Sequence, residues 1–322
     1  MSVLVTGVNG LIGLHTAKIL LDEGFEVIGY DQNRWGELAF YPEVAERITF
    51  VWGDMTQLCH LLETVEKYGV EDVIHLASIR NEVVFREFPA ELFRVNIGAM
   101  QNILELARMG KVRRVVFTSS AAVYGRMEDP NRSIPEDAPQ NPFGIYANSK
   151  AMCENFMRSY RNVYGIEAFV LRPSRVYGRM ANLDTLEFGN PLSSFVYKLL
   201  RGESIKDRSG ADFGGDFTYA SDVAYGCYRA LVTPPPEHWI FNIGPGTFYR
   251  LSEVAEILSH LFPKAEISLG PGMEPYISQS PIRGPLDITR ARSELSYKVR
   301  KDLKESIEDF IETVRQRGNV KS

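Results

Sequence analysis

The chain has 322 residues, 44% of them hydrophobic and 24% charged, with 26 glycines and 17 prolines. Such a composition belongs to a globular protein of one large or two closely packed domains, and it excludes disordered, collagen-like and low-complexity chains. With 36 Lys and Arg against 41 Asp and Glu the net charge is −5, which argues against a nucleic-acid binder that works by neutralising phosphates.

In chain order, short β-branched runs alternate with longer amphipathic stretches. The spacing predicts strands at Ser2–Thr6, Phe25–Tyr30, Ile48–Trp52, Asp72–Leu76, Arg113–Thr118 and Glu167–Leu171. Between them it predicts helices at about Leu11–Asp22, Met55–Tyr68, Ala90–Arg108 and Ile145–Tyr164. This rhythm is that of an α/β protein with a doubly wound parallel sheet, because right-handed crossovers put helices on both faces. After Leu171 the rhythm weakens. Arg175–Asn190 is polar, Pro191–Arg201 is helix-like, and Gly202–Asp216 reads as loop. A short strand at Ile240–Ile243 and helices at Leu251–Leu261 and Asp302–Arg315 follow. A smaller substrate-facing cap interleaved with the sheet domain is the resulting expectation.

Cys59, Cys153 and Cys227 lie far apart in sequence and suggest neither a disulfide framework nor a metal site, which points to a reducing compartment. A strand-like run begins at Ser2, and there is no apolar run of about 18 residues. A cytoplasmic protein that does not span a membrane is expected. None of the five histidines is spaced for metal binding, and no G-x-S-x-G elbow suggests a hydrolase.

The first strand runs into V-T-G-V-N-G-L-I-G, where Gly7, Gly10 and Gly13 precede a helix. Glycines let backbone approach a pyrophosphate, and the free N–H groups of the helix then stabilise its charge. The second strand ends at Asp31, eighteen residues past Gly13, where a carboxylate accepts hydrogen bonds from an adenosine ribose diol and repels a 2′-phosphate. That favours NAD over NADP, with nearby Arg34 pulling the other way. Asp54 either contacts the adenine or caps a helix from Met55 onward.

Tyr146 and Lys150 in I-Y-A-N-S-K are four residues apart, hence on one helix face. A phenol is a poor base at neutral pH, but a fixed ammonium and an oxidised nicotinamide beside it favour the phenolate. Ser119 or Ser120 ends the fifth strand, at the sheet edge where ligands bind, and can hydrogen-bond the reacting oxygen. Asn96 interrupts a helix pattern and either bonds something specific or lies on the surface.

These motifs, together with G-D at Gly53, H-L-A-S at His75, V-N-I-G at Val95, L-R-P-S-R-V-Y-G and D-F-T-Y-A-S-D-V-A, resemble the extended short-chain dehydrogenase/reductase family over essentially the whole chain. That family comprises NAD-dependent sugar epimerases and dehydratases. The resemblance implies a catalytic set of Ser120, Tyr146 and Lys150, with Asn96 supporting the lysine. It implies NAD held by Gly7, Asn9, Gly10, Leu11, Ile12 and Gly13 of the turn and by Asp31, Asp54 and Met55. Further contacts are implied from Leu76, Ala77, Ser78, Asn96, Tyr146, Lys150 and Pro173. It also implies a homodimer through the helices at Ala90–Arg108 and Ile145–Tyr164. Residues 1–174, joined by 216–245, are expected to bind NAD, and 175–215 with 246–322 to bind substrate.

Departures from the family pattern narrow the reaction. Dehydratases carry an Asp-Glu pair where this chain has Ala121 and Ala122, and alanine cannot move protons. Nucleotide-sugar members typically carry Asn at the position of Arg175 and Arg at that of Gly215. Arg175, Arg179 and Arg283, with Ser119, Ser120 and Tyr146, are the expected substrate contacts, the arginines clamping a diphosphate or carboxylate. The leading expectation is an NAD-dependent epimerase of a sugar or nucleotide sugar. The alternatives are a net dehydrogenase of a free sugar, polyol or sugar acid, and a non-catalytic NAD-sensing protein.

Overall fold

The computed structural model describes residues 1–34, 36–80, 87–127, 129, 132–180, 190–273 and 282–317. Strands β1 (Ser2–Thr6), β2 (Glu26–Asp31), β3 (Thr49–Trp52), β4 (Asp72–His75), β5 (Arg114–Thr118) and β6 (Glu167–Pro173) alternate with helices. Those helices are α1 (Leu11–Asp22), α2 (Pro42–Ala45), α3 (Leu58–Lys67), α4 (Pro89–Arg108) and α5 (Ile145–Tyr164). The chain continues through α6 (Pro191–Leu200), β7 (Ile205–Asp207), β8 (Gly214–Gly215), α7 (Ala220–Val232), β9 (Ile240–Ile243) and β10 (Tyr249–Arg250). It ends with α8 (Leu251–Leu261), β11 (Ile267–Leu269), α9 (Thr289–Leu295) and α10 (Leu303–Arg317).

Among the described residues the main sheet has seven strands in the order β3-β2-β1-β4-β5-β6-β9, every pairing parallel. The expected doubly wound sheet is therefore present, with β9 on its far edge. Because side chains alternate across a strand, Val3 and Val5 of β1 pack with Leu14 and Ala17 of α1 and Val223 of α7. Leu4 points the other way, into a core with Leu61 of α3, Ile103 of α4 and Met157 of α5. A third apolar cluster joins Phe195 of α6, Leu258 of α8 and Phe310 of α10.

Local chemistry moves several expected boundaries. The helix expected from Met55 begins at Leu58, because Asp54 Oδ1 accepts from Thr56 N at 2.8 Å and makes a side-chain turn first. Strand β6 runs on to Pro173, since Arg172 and Pro173 pair with Asn242 and Ile243 of β9. The stretch expected to be loop, Gly202–Asp216, contains β7 and β8, paired with β11 and β10. Helices α7 and α9 were not anticipated. Residues 181–189 of the polar Arg175–Asn190 stretch lie outside the described residues. No helix among the described residues is long and apolar enough to cross a membrane.

Candidate active site

The carboxyl ends of the parallel strands converge on one edge, where register aligns Thr6 with His75, His75 with Phe117, and Thr118 with Leu171. At that edge Gly7 has φ +69° and donates its N–H to the Tyr30 carbonyl at 2.8 Å. A Cβ there would lie 2.8 Å from the Ala77 backbone, so only glycine lets the turn sit against the segment after β4. Thr6 Oγ1 secures that segment by accepting from Leu76 N and Ala77 N at 3.1 and 3.2 Å. With two donors already on its oxygen, the Thr6 hydroxyl donates to His75 Nδ1 at 2.8 Å, which assigns His75 as the neutral Nε2–H tautomer. Burial, assisted by the Lys150 charge, pushes His75 down to about 3.

Helix α1 opens at Gly10 with no side-chain cap, leaving its first N–H groups for an external acceptor. Leu11 and Ile12 are half-buried there and Gly13 is buried. At the end of β2 the Asp31 carboxylate accepts from Asn9 N at 3.1 Å and Asn33 N at 2.9 Å. Burial raises its pKa and those backbone donors oppose the rise. An uncapped glycine turn beside a braced, half-buried carboxylate fits the pyrophosphate and ribose of a dinucleotide. Asp54 is half-buried in its own turn, and Pro173 is buried at the end of β6.

Two residues expected at the cofactor have side chains engaged within the protein. The Asn9 side chain donates to the Asn33 carbonyl at 2.5 Å and accepts from Leu38 N at 3.3 Å, so it braces the loop around Asp31. Met55 is buried in the core under α3 and α4.

Lys150 is buried and donates from Nζ to the Thr118 carbonyl at 2.9 Å, 4.7 Å from the Phe117 ring centroid and 5.7 Å from that of Tyr146. Desolvation brings it down to about 8, opposed by Cys153 and Glu154. Tyr146 is half-buried, and its carbonyl accepts from Ser149 Oγ at 2.8 Å. Ser120 is half-buried, and its Oγ accepts from Ala122 N at 3.1 Å, capping the short turn Ala121–Tyr124. The edge thus gathers a hydroxyl, a phenol and an ammonium beside the glycine turn.

Ser119, expected as a substrate contact, is engaged inside the protein. It is buried and donates to Glu154 Oε1 at 2.5 Å, because adjacent residues of an extended segment point to opposite sides. The hydrogen bonds of the Asn96 side chain run to the backbone of Ile79 and to Ser149. Its Oδ1 accepts from Ile79 N at 2.8 Å, and its Nδ2 donates to the Ile79 carbonyl and to Ser149 Oγ, both at 3.0 Å. It pins the segment after β4, including half-buried Ser78, to α5. The sequence reading missed Glu154. It accepts from Ser119, from Gln140 at 2.6 Å, and from Arg172 at 3.0 and 2.5 Å, and so ties α5 to β5 and β6.

Arg179, also expected as a substrate contact, is buried and ion-paired with buried Glu37, its guanidinium carbon 4.0 Å from the ring centroid of partly buried Phe40. Arg175 is half-buried above the Phe213 ring, and Arg283 is buried with its Nη1 at 3.4 Å from the Gly125 carbonyl. Among the described residues no group of three or more His, Cys, Asp or Glu side chains is arranged to hold a metal.

Residues 3–244 match the NAD dependent epimerase/dehydratase family. The putative UDP-glucose 4-epimerase of Methanocaldococcus jannaschii is 33% identical, over 96% of this chain and 97% of its own length. UDP-glucuronate 4-epimerase 1 of Arabidopsis thaliana is 27% identical, over 97% of this chain and 76% of its own length. Among solved structures, the UDP-glucose 4-epimerase of Thermus thermophilus in complex with NAD superposes with a TM-score of 0.83 at 26% identity, covering 98% and 99% of the two chains. With the glycine turn, the braced Asp31 and the Tyr146–Lys150 pair in place, this chain belongs to the NAD-dependent epimerase/dehydratase family of extended short-chain dehydrogenases/reductases.

Proposed function

We propose that this chain is an NAD-dependent epimerase of a nucleotide sugar, inverting the hydroxyl-bearing carbon C4. One observation carries the chemistry. The Lys150 ammonium, fixed on the Thr118 carbonyl, lies beside the Tyr146 ring, with Ser120 two residues beyond Thr118. Bound NAD supplies a hydride acceptor that returns what it takes. Tyr146 removes the sugar hydroxyl proton as the carbon gives up hydride, Ser120 holds that oxygen by a hydrogen bond, and Lys150 stabilises the charge left on the phenol oxygen. When the keto sugar has presented its other face, Tyr146 gives the proton back. The sugar is inverted, and cofactor and enzyme end as they began. Ala121 and Ala122 add no proton carrier beyond Tyr146, in keeping with epimerisation and against loss of water.

The 4-epimerase relatives support this reading over net dehydrogenation and over a non-catalytic sensor. Arg175 and Arg283 are the residues proposed to meet the anionic part of the substrate, and the third apolar cluster is proposed as the core of the substrate cap. A homodimer through α4 and α5 is supported by apolar side chains left exposed on and beside them, Met109, Met152, Val163 and Tyr164. The cytosol is supported by three free cysteines.

The test is incubation with UDP-glucose or UDP-glucuronate, following the sugar by NMR and the reduced nicotinamide by absorbance. Interconversion of C4 epimers with no net NADH is expected. Stoichiometric NADH accumulation would instead make the chain a dehydrogenase.

A further inference from the structure

Gly215 lies on β8, opposite Tyr249 of β10. The Arg175 side chain runs across it, since a methyl group built on Gly215 would overlap Arg175 Nε and Cδ. The guanidinium carbon sits 4.7 Å from the Phe213 ring centroid. Any side chain at 215 therefore displaces that guanidinium. Arg175 itself has φ +36°, in the left-handed region that residues with a Cβ rarely adopt. Its carbonyl is held there by Asn190 Nδ2 at 2.5 Å and Thr218 N at 3.4 Å. A strained backbone held by its surroundings marks a place where the direction of a side chain matters.

Within electrostatic reach of Arg175 is Arg283, whose Nε has no hydrogen-bond partner among the described residues. Its Nη1 approaches the Gly125 carbonyl, and Gly125 closes the turn that Ser120 opens. The second guanidinium thus lies against the far end of the turn that begins at Ser120. Desolvation brings Arg175 down to about 9, with the Arg283 charge adding to the effect, and brings Arg283 down to about 10. Two desolvated cations that repel each other are stabilised by an anion shared between them. One carboxylate has two oxygens and fills one guanidinium fork, whereas a diphosphate has oxygens enough for two.

We infer that Gly215 is a specificity-determining position: its missing side chain admits the Arg175 guanidinium, which with Arg283 clasps the diphosphate of the substrate. This rests on the nucleotide-sugar reading above. UDP serves as the probe, titrated calorimetrically into the NAD-loaded protein, with uridine as the phosphate-free control. Gly215→Ala and Arg175→Asn should each weaken UDP about tenfold or more while leaving uridine unchanged. The double variant should be no worse than Arg175→Asn alone, because Gly215→Ala acts only through that guanidinium.

Additive losses, an equal loss for uridine, or a Gly215→Ala affinity within about twofold of the parent would overturn the inference. Should Gly215→Ala fail to fold, Arg175→Lys, which keeps the charge and loses the fork, decides. A weakened UDP affinity supports the clasp, and an affinity equal to the parent's overturns it. A parent protein that binds no UDP would instead remove the nucleotide-sugar reading itself.

Discussion

Lys150 reaches the Thr118 carbonyl at 2.9 Å from the helix that also carries Tyr146. The last residue of β5 thereby positions the ammonium that sits beside the phenol, and sheet and helix jointly hold the groups proposed to react. Tyr146→Phe keeps the ring and removes only the proton carrier. Its kcat should fall by roughly 10²–10⁴-fold, while bound NAD, read from the cofactor released on denaturation, stays at the parent level. A variant that still turns over at the parent rate would exclude Tyr146 as the proton carrier.

Glu154 is fully buried and offsets the buried Arg172 charge. Glu154→Gln leaves that guanidinium without its counter-charge, and the expected destabilisation is about 3–5 kcal/mol in urea unfolding. Ser119→Ala, losing one hydrogen bond to the same carboxylate, should cost only about 1 kcal/mol. Equal effects from the two variants would contradict a carboxylate whose main partner is Arg172.

His75 is held neutral in the fold, down to about 3 against 6.5 in the open chain. Between those values the unfolded chain binds a proton that the native state does not, so stability is lost as pH falls from 6.5 toward 3. The slope attributable to this one group is at most about 1.4 kcal/mol per pH unit. Comparing parent and His75→Asn unfolding free energies at neutral and mildly acidic pH isolates it, and identical pH dependence in both would refute the assignment.

The Asp31 carboxylate, braced by Asn9 N and Asn33 N, is proposed to meet the ribose of the cofactor. Asp31→Asn keeps the shape and removes the charge that repels a 2′-phosphate. The ratio of NAD to NADP affinity should shift toward NADP by roughly tenfold, measured as dissociation constants by fluorescence titration. An unchanged ratio would show that discrimination arises elsewhere.

The sheet and the glycine turn were legible because they obey short-range rules: alternation in β1, glycines where a Cβ collides, and a spacing of four that stacks Tyr146 on Lys150. What escaped depends on tertiary contacts. Ser119 and Ser120 are chemically identical neighbours, and only the packing of α5 decides which one meets Glu154. Glu154 reads as an ordinary helix charge until Arg172 arrives from β6. Arg179 resembles an anion-binding arginine until Glu37, far away in sequence, neutralises it. Asp54 looks like a helix cap, but the three-residue turn it forms delays the helix to Leu58.

The Glu37–Arg179 pair has a consequence for timing. It bolts the loop following Asp31 to the segment following β6, deep inside the protein. Any motion that parts those two segments must first strip apart desolvated opposite charges, and is slowed by that cost.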